Sequence, residues 1–515
     1  MFEKIEKWLF VLLVCAHLIP LIALDFFVTH DGPSHTYNTV LIEDLLLGSK
    51  VPAQDFFEFT ADPQPNWGYN ALMLVTNRIF SAVASEKIII GAIILLMAFS
   101  FRELIRLINP ANVFQSYLIL PFLFSFHLYL GFYNFCIGAA IFFFLLYYMV
   151  KKNDNPSISY YIILGLVSLL MLFSHAFSFM LFCVCVSGYV ATRHYFVEKK
   201  LFQIKLFRPL LFYFLALLPS LAFCIYFLFS KYEGGGKYWL DLTVLIKYIY
   251  ECAPAITLTY DQEKIYGIST AVLMMINILM VVYFKIKSNQ KNSIQHDIWI
   301  LLAIITLVIY FIMPDAVGVW GFISLRTLMF FFLFLPIWFA HANFPKWWKC
   351  FQIIVLAVLI SFRLNYQFGL SKQLSDDAKE MFSLTEKIKP RSIILPLDYY
   401  NNWMHDNISN YIGTVNHNLV LDNYEAVFPH FPLHFRKENN PYTLLGNFSG
   451  RIPPCADMEK FETTTDVKID YVIRWLYKDD EDSCTAKINK QLEEKFVLIY
   501  KSEKGEAELF ERKNQ

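Results

Sequence analysis

Two histidines and a carboxylate crowd into Thr29-His30-Asp31-Gly32-Pro33-Ser34-His35-Thr36-Tyr37-Asn38, just after the first apolar stretch of the chain. A charged group at mid-bilayer costs about 2.5–3.5 kcal/mol on the insertion scale, so ionisable groups beside hydrocarbon sit where water or a reactant reaches them. Asp31, and His35 four residues on, have the chemistry of a general base, which contributes about 10²–10⁴-fold to a reaction that removes a proton from an attacking hydroxyl. Arg326, near the end of another apolar stretch, carries a guanidinium that suits bidentate contact with phosphate oxygens. His175 and Asn134 stand at the ends of further apolar stretches and can complete a phosphate pocket or orient the base. Each has a plainer alternative: Asp31 as a helix cap only, His35 as a surface histidine, Arg326 as the partner of Asp315, and His127 and His175 as packing groups. The spacing of His30, Asp31 and His35 is not a zinc pattern. No cofactor is expected, with a divalent metal left as an alternative.

The elements that must position these residues are mostly membrane spans. Of 515 residues, 56% are hydrophobic and 18% aromatic, and a mean hydropathy of +0.43 places the chain among polytopic membrane proteins. A formal net charge of zero, with no Lys/Arg run interleaved with aromatics, argues against nucleic-acid binding. A span needs roughly 17–25 apolar residues, and this template marks 8–24, 87–101, 112–129, 132–150, 158–174, 176–192, 207–230, 266–284, 297–313, 323–341 and 350–366. The first follows Lys4 and Lys7, lacks a small-residue cleavage site and reads as a retained anchor. Basic residues at alternate connections (Lys4/Lys7, Arg102/Arg106, Lys151/Lys152, Arg193 to Arg208, Lys285 to Lys291, Lys346/Lys349) predict a cytoplasmic amino terminus and an outer carboxy-terminal tail. That topology gathers Asp25, His30, Asp31, His35, His127, Asn134, His175, Asp315 and Arg326 on the outer face.

The predicted organisation is a transmembrane domain over 1–370, with a first outer loop at 25–66, and a soluble α/β domain over 371–515. Within the loop, Asp31-Gly32-Pro33 reads as a turn, Ser34 as an N-cap, and Thr36 to Leu47 as an amphipathic helix lying on the membrane. Segment 66–83 reads as a second interfacial helix. Gly234-Gly235-Gly236, after Lys231-Tyr232-Glu233, lacks the strand, helix and Lys-Ser/Thr of a phosphate loop and reads as a mobile loop. In the tail, Ser375 to Lys389 predicts a helix, and Ser392 to Leu397, Lys468 to Trp475, Phe496 to Tyr500 and Glu506 to Glu511 predict strands. Asp398-Tyr399-Tyr400-Asn401-Asn402-Trp403-Met404-His405-Asp406 has the mix of aromatics, amides and acids that suits sugars, as it does a solvated loop. Cys455 and Cys484, the two cysteines of the tail, can pair in an oxidising compartment, closing a loop of about 30 residues for roughly 3–4 kcal/mol.

Asp31 with His35 and Tyr37 after the first span, the tip Gly131-Phe132-Tyr133-Asn134-Phe135, the tip Ser174-His175, and Gly321-Phe322-Ile323-Ser324-Leu325-Arg326 together resemble the GT-C superfamily of membrane glycosyltransferases, loosely over the whole chain. The resemblance implies an all-α polytopic bundle of about 11 spans with an extracytoplasmic α/β domain that recognises the acceptor. It also implies transfer of a sugar from a polyprenyl-phosphate donor to a lipid, glycan or protein acceptor. Asp31 matches the acid of the first outer loop that acts at the reaction centre. Gly32 stands where many members carry a second acid, which argues against metal binding. Catalysis is thus expected of Asp31 and His35, and substrate or phosphate binding of Arg326, His175, Asn134 and Tyr37. Composition suggests a bacterial inner membrane, in contact with membrane lipid. An O-antigen ligase or polymerase, a lipid or sugar transporter or flippase, and a non-catalytic envelope scaffold stay open as alternatives.

Overall fold

The structure is a computed structural model describing residues 2–48, 51–60, 62, 64–152, 156–198, 204–230, 235–287, 298–477 and 482–513. Lys199, Lys200, Lys291 and the segment Lys231 to Gly234 lie outside them. Among the described residues, seven helical segments are long and apolar enough to cross a membrane and four more are apolar but shorter, matching the eleven predicted spans in turn. The chain forms two compact units: Met1–Ile19, Gln64–Gly68 and Ile90–Phe368 make one, and Pro20–Pro63, Tyr69–Ile89 and Gly369–Gln515 the other. The linear division at residue 370 does not describe them. Residues 20–63 and 69–89 join the carboxy-terminal region because strand β1 (Phe57–Phe59) pairs antiparallel with β6 (Leu433–Phe435) and the first-loop helix packs on 408–414.

The first unit is the helical bundle. It draws on α1 (Phe2–Ala23), α4 (Ala82–Ile108), α5 (Tyr133–Lys152), α6 (Ile158–Ser174), α7 (Ala176–Glu198), α8 (Ile204–Ser230), α9 (Tyr260–Lys287), α10 (Ile298–Ile312), α11 (Ile323–Phe339) and α12 (Lys346–Ser383). The unit also holds the two-residue strands β2 (Lys237–Tyr238) and β3 (Ala316–Val317), paired antiparallel. Segment 110–129 is not a regular helix. Pro110–Ile119 is a 3₁₀ helix, followed by the short helices Leu120–Leu123 and Phe126–Tyr129, and the backbone leaves helical conformation between these two at Phe124 (φ −103°, ψ +69°). The carbonyls this break frees must be satisfied within the protein. Arg363 of α12 does so, donating to Pro121 O at 2.5 Å and Phe124 O at 2.7 Å, and also to Ala255 O at 2.6 Å. Phe330 and Phe332 are core residues, with the Phe330 ring 4.7 Å from Phe142.

Arg102, taken from the sequence as a topology marker, is buried. Its guanidinium holds Glu6 bidentately at 2.8 and 2.7 Å, donates to Ser116 Oγ at 3.0 Å and lies 4.5 Å from the centre of the Phe10 ring.

The second unit contains α2 (Gly32–Leu47), α3 (Gly68–Thr76, from Tyr69 on) and a five-stranded sheet in the order β5-β4-β7-β9-β8. Strand β4 (Ile393–Asp398) runs parallel to β5 (Leu419–Val420) and β7 (Tyr471–Trp475); β9 (Ala507–Arg512) is antiparallel to β7 and to β8 (Phe496–Lys501). The four predicted tail strands are thus present within a residue or a few of their expected ends. The predicted separate helix 375–389 is instead the end of α12, which runs unbroken for 38 residues. Cys455 and Cys484 form a disulfide. The first-loop helix also differs from expectation: it starts at Gly32 with Pro33 in its first turn, and Gly32 to Thr39, Leu41, Ile42 and Asp44 are buried. It is an interior helix of its unit, not one lying on a surface. It stops at Gly48, whose φ of +64° suits a residue without a side chain.

Removing one partner of a buried ion pair strands the other, at about 3–5 kcal/mol, whereas an apolar replacement of both is often near neutral. Glu6→Leu is therefore expected to lower stability in detergent far more than the double variant Glu6→Leu/Arg102→Met, read by thermal unfolding of the two side by side.

Candidate functional site

Asp31 occupies the N-cap position of α2, yet its side chain makes no capping bond. Only 6% of the residue is exposed. The carboxylate meets the Tyr424 hydroxyl and lies 3.5 Å from His30 Nε2. His30 Nδ1 is 2.7 Å from Trp403 O and therefore carries a proton, since a carbonyl can only accept; Nε2 carries one as well only when the ring is a cation. The backbone of this turn is held by Asn407 Nδ2, which donates to His30 O at 2.9 Å, and by Asn410 Nδ2, which donates to Ser34 Oγ at 2.8 Å. Asp31 is thus placed by its neighbours and is not consumed as a cap.

His35 is buried one turn further along and is not a surface histidine. Its Nδ1 lies 2.7 Å from Glu425 Oε1, and Asn38 Nδ2 donates to Glu425 Oε2 at 2.6 Å. Asn423 Nδ2 in turn donates to Asn38 Oδ1 at 2.5 Å. Burial pushes the Glu425 carboxyl up, His35 pulls it down, and the Asp31 charge pushes it up again. Asp31 at the start of α2 and Glu425, bound to His35 on its first turn, are thereby in electrostatic contact.

Tyr37, expected at a substrate, is taken up by packing. Its hydroxyl accepts from Val420 N–H at 2.9 Å, and its ring fills the space a Cβ would need at Gly413. The neighbouring Thr36 Oγ1 is 3.0 Å from the Tyr69 hydroxyl, while Tyr411 O–H donates to Glu86 at 3.0 Å.

Arg326, His175 and Asn134 belong to the other unit. Arg326 lies over the rings of Phe132 and Phe135, at 4.5 and 5.6 Å, and the His175 ring is 5.2 Å from Phe135. These two residues are therefore brought together around one ring, as is His127, 4.7 Å from it. Asn134 donates to Asn66 O at 3.1 Å. Asp315 serves the start of α11, accepting from Ser324 N–H at 3.1 Å.

The sequence reading missed Glu425, Tyr424 and Asp422. Their stretch, Asp422-Asn423-Tyr424-Glu425, differs from other polar stretches of the tail only in lying between apolar runs. Segment 398–406, which it did single out, lines a cavity of about 200 Å³ together with Asp422. Asp398 feels the charges of Asp406 and Asp422, Asp406 that of Asp31, and Asp31 acts on Glu425. Five carboxyls thereby form one connected acidic network. Among the described residues, no three His, Cys, Asp or Glu side chains converge as a metal site requires.

This is an integral membrane protein, an α-helical bundle with a mixed α/β unit that carries a buried acidic site. No protein-family model and no curated protein matches the chain. Among solved structures it is similar to the oligosaccharyltransferase of Archaeoglobus fulgidus in the apo form, at 12% identity and a TM-score of 0.47 over 92% of this chain and 69% of that one. It is likewise similar to ArnT from Cupriavidus metallidurans, apo and bound to undecaprenyl phosphate, at 10% and 9% identity with TM-scores of 0.42, over 97% of each chain.

Burial pushes Asp398 up to about 8, opposed by the Tyr400 N–H it accepts and reinforced by Asp406 and Asp422. Between the unfolded value near 3.8 and that folded value, the native state holds a proton the unfolded chain has lost, so this group's contribution to stability falls as pH rises and levels off above about 8. Asp398→Asn cannot ionise and keeps an acceptor for Tyr400. Thermal unfolding at pH 5 and pH 8.5 is expected to show wild type losing more stability than the variant, by at least about 1 kcal/mol at roughly 1.4 kcal/mol per pKa unit.

Proposed function

We propose that the protein is a GT-C-type glycosyltransferase that moves a sugar from a polyprenyl-phosphate donor to an acceptor hydroxyl at the membrane surface. The observation that carries the reading is Asp31: a buried carboxylate, released from capping, held by Tyr424 beside His30. In this mechanism Asp31 accepts the proton of the attacking hydroxyl as its oxygen bonds to the anomeric carbon, while the phosphate leaves with the electron pair of the breaking C–O bond. A positioned base of this kind is worth about 10²–10⁴-fold. His35, bound to Glu425, keeps the first turn of α2 in place and offers the proton a further acceptor. Arg326, His175 and Asn134, whose residue types suit phosphate, belong to the other unit and take no step in this scheme. No metal enters this scheme.

The same reading puts the amino terminus in the cytoplasm and the α/β region outside a bacterial inner membrane. The Cys455–Cys484 disulfide supports it, because such bonds persist in oxidising compartments. Alkaline phosphatase fused after Gln515 is expected to be active in cells, and a fluorescent protein fused there dark; the reverse pattern excludes the placement.

Transfer is tested with purified full-length protein, radiolabelled sugars on undecaprenyl phosphate and an envelope extract as acceptor. Wild type is expected to transfer at least one sugar, and Asp31→Asn, with unchanged thermal unfolding, to fall by about 10²–10⁴-fold. Equal rates in the two proteins would remove Asp31 from catalysis. Absence of transfer with every donor would move the protein to the transporter or scaffold class.

A further inference from the structure

The cavity beside the acidic network has a composition that the transfer reaction does not use. One wall is aromatic: Trp475 and His405 stack with centroids 6.3 Å apart and planes 29° from parallel, and Tyr400 meets His405 edge-on at 4.6 Å. Trp403 adds a ring that is 37% exposed. Asp398, Asp406 and Asp422 supply carboxyls, and all three line the same space. Each already has one bond or charge contact: Asp398 accepts from Tyr400 N–H, Asp422 from Tyr442 O–H, and Asp406 faces His30 and His405.

The cationic side of the ledger is short. Arg451 also lines the cavity, but its guanidinium is 3.3 Å from Asp482 and 3.0 Å from Cys484 Sγ. His405 Nε2 is 3.3 Å from Asp377. The Trp475 indole N–H and His405 Nδ1 have no hydrogen-bond partner among the described residues and are closed off from solvent, so these two side chains offer the cavity their ring faces.

Aromatic faces that suit the C–H face of a pyranose, and carboxyls and amides that accept its hydroxyls, make a saccharide site. The surplus of carboxyls over cations adds a preference for positive charge. A volume of about 200 Å³ corresponds to roughly six or seven waters at about 30 Å³ each, the space of a single ring. We propose that this cavity binds a sugar ring bearing a protonated amine, with the ammonium between Asp406 and Asp422, the Asp398 carboxyl against a ring hydroxyl, and the ring against Trp403 and Tyr400. Asp398, pushed up to about 8 by burial, is the protonated carboxyl of the three. The site lies within one unit, and its binding is independent of the transfer chemistry.

The test is saturation-transfer NMR on the full-length protein in detergent at pH 7, titrated separately with glucosamine, glucose and magnesium chloride. Glucosamine is expected to bind saturably and glucose at least about tenfold more weakly, a difference of about 1.4 kcal/mol. Asp406→Asn and the partly exposed Trp403→Ala, each checked by thermal unfolding, are each expected to weaken glucosamine by a similar factor. Equal binding of the two sugars, absence of glucosamine binding to folded protein, or glucosamine displaced by millimolar magnesium would each overturn the proposal. If only one variant fails to fold, the other decides. Amine-selective binding without any sugar transfer sustains this site and counts against the transferase alone.

Discussion

Polar groups shut away from water must find their partners inside the protein, and much of this structure follows from that requirement. In the bundle, segment 110–129 leaves helical conformation at Phe124 and exposes carbonyls that no helix satisfies; Arg363 answers them from a distant part of the sequence. Glu6 and Arg102 are another instance, each tolerable in an apolar interior only because the other is there. Gln115, Asn277, Trp348 and Gln352 form a further ladder, linked at 3.0 to 3.2 Å. These contacts join helices far apart in sequence and so specify which helices are neighbours, a choice that uniformly apolar surfaces leave open.

In the second unit the same requirement produces a different result. Hydrogen bonds to Ser34, Tyr37 and Asn38 tie α2 to residues 410–425, and the carboxyls that cluster there are only partly answered by cations. Histidines 30, 35 and 405 each face an acid, yet five carboxyls remain in electrostatic contact. Such an arrangement is costly to stability and suits a site that exchanges protons or takes up a charged ligand. Asp31 belongs to this cluster at the start of a helix, where the dipole favours negative charge.

Much of the architecture was legible because its signals are local. Runs of apolar residues marked ten helices and the broken segment 110–129, and alternating β-branched and aromatic residues marked four strands of the sheet. The errors have equally definite causes. Helix 346–383 reads as two because its apolar part ends near 366 while its helical backbone does not. The α2 helix looks amphipathic, but its polar face is covered by partners from beyond residue 400, which no spacing within 32–47 reveals. Tyr37 carries no local sign that Gly413 would enclose its ring.

The residue types that can do chemistry were therefore set by the sequence alone: Asp31 and His35 beside a span, Arg326 at another, and the sugar-compatible stretch 398–406. Membrane character was set there too, since it depends on composition. Tertiary structure alone decided that Glu425 pairs with His35, that Tyr424 holds Asp31, and that Asp398, Asp406 and Asp422 share one cavity. Burial and charge coupling depend on distances in space, and partners hundreds of residues apart leave no mark on each other's local sequence.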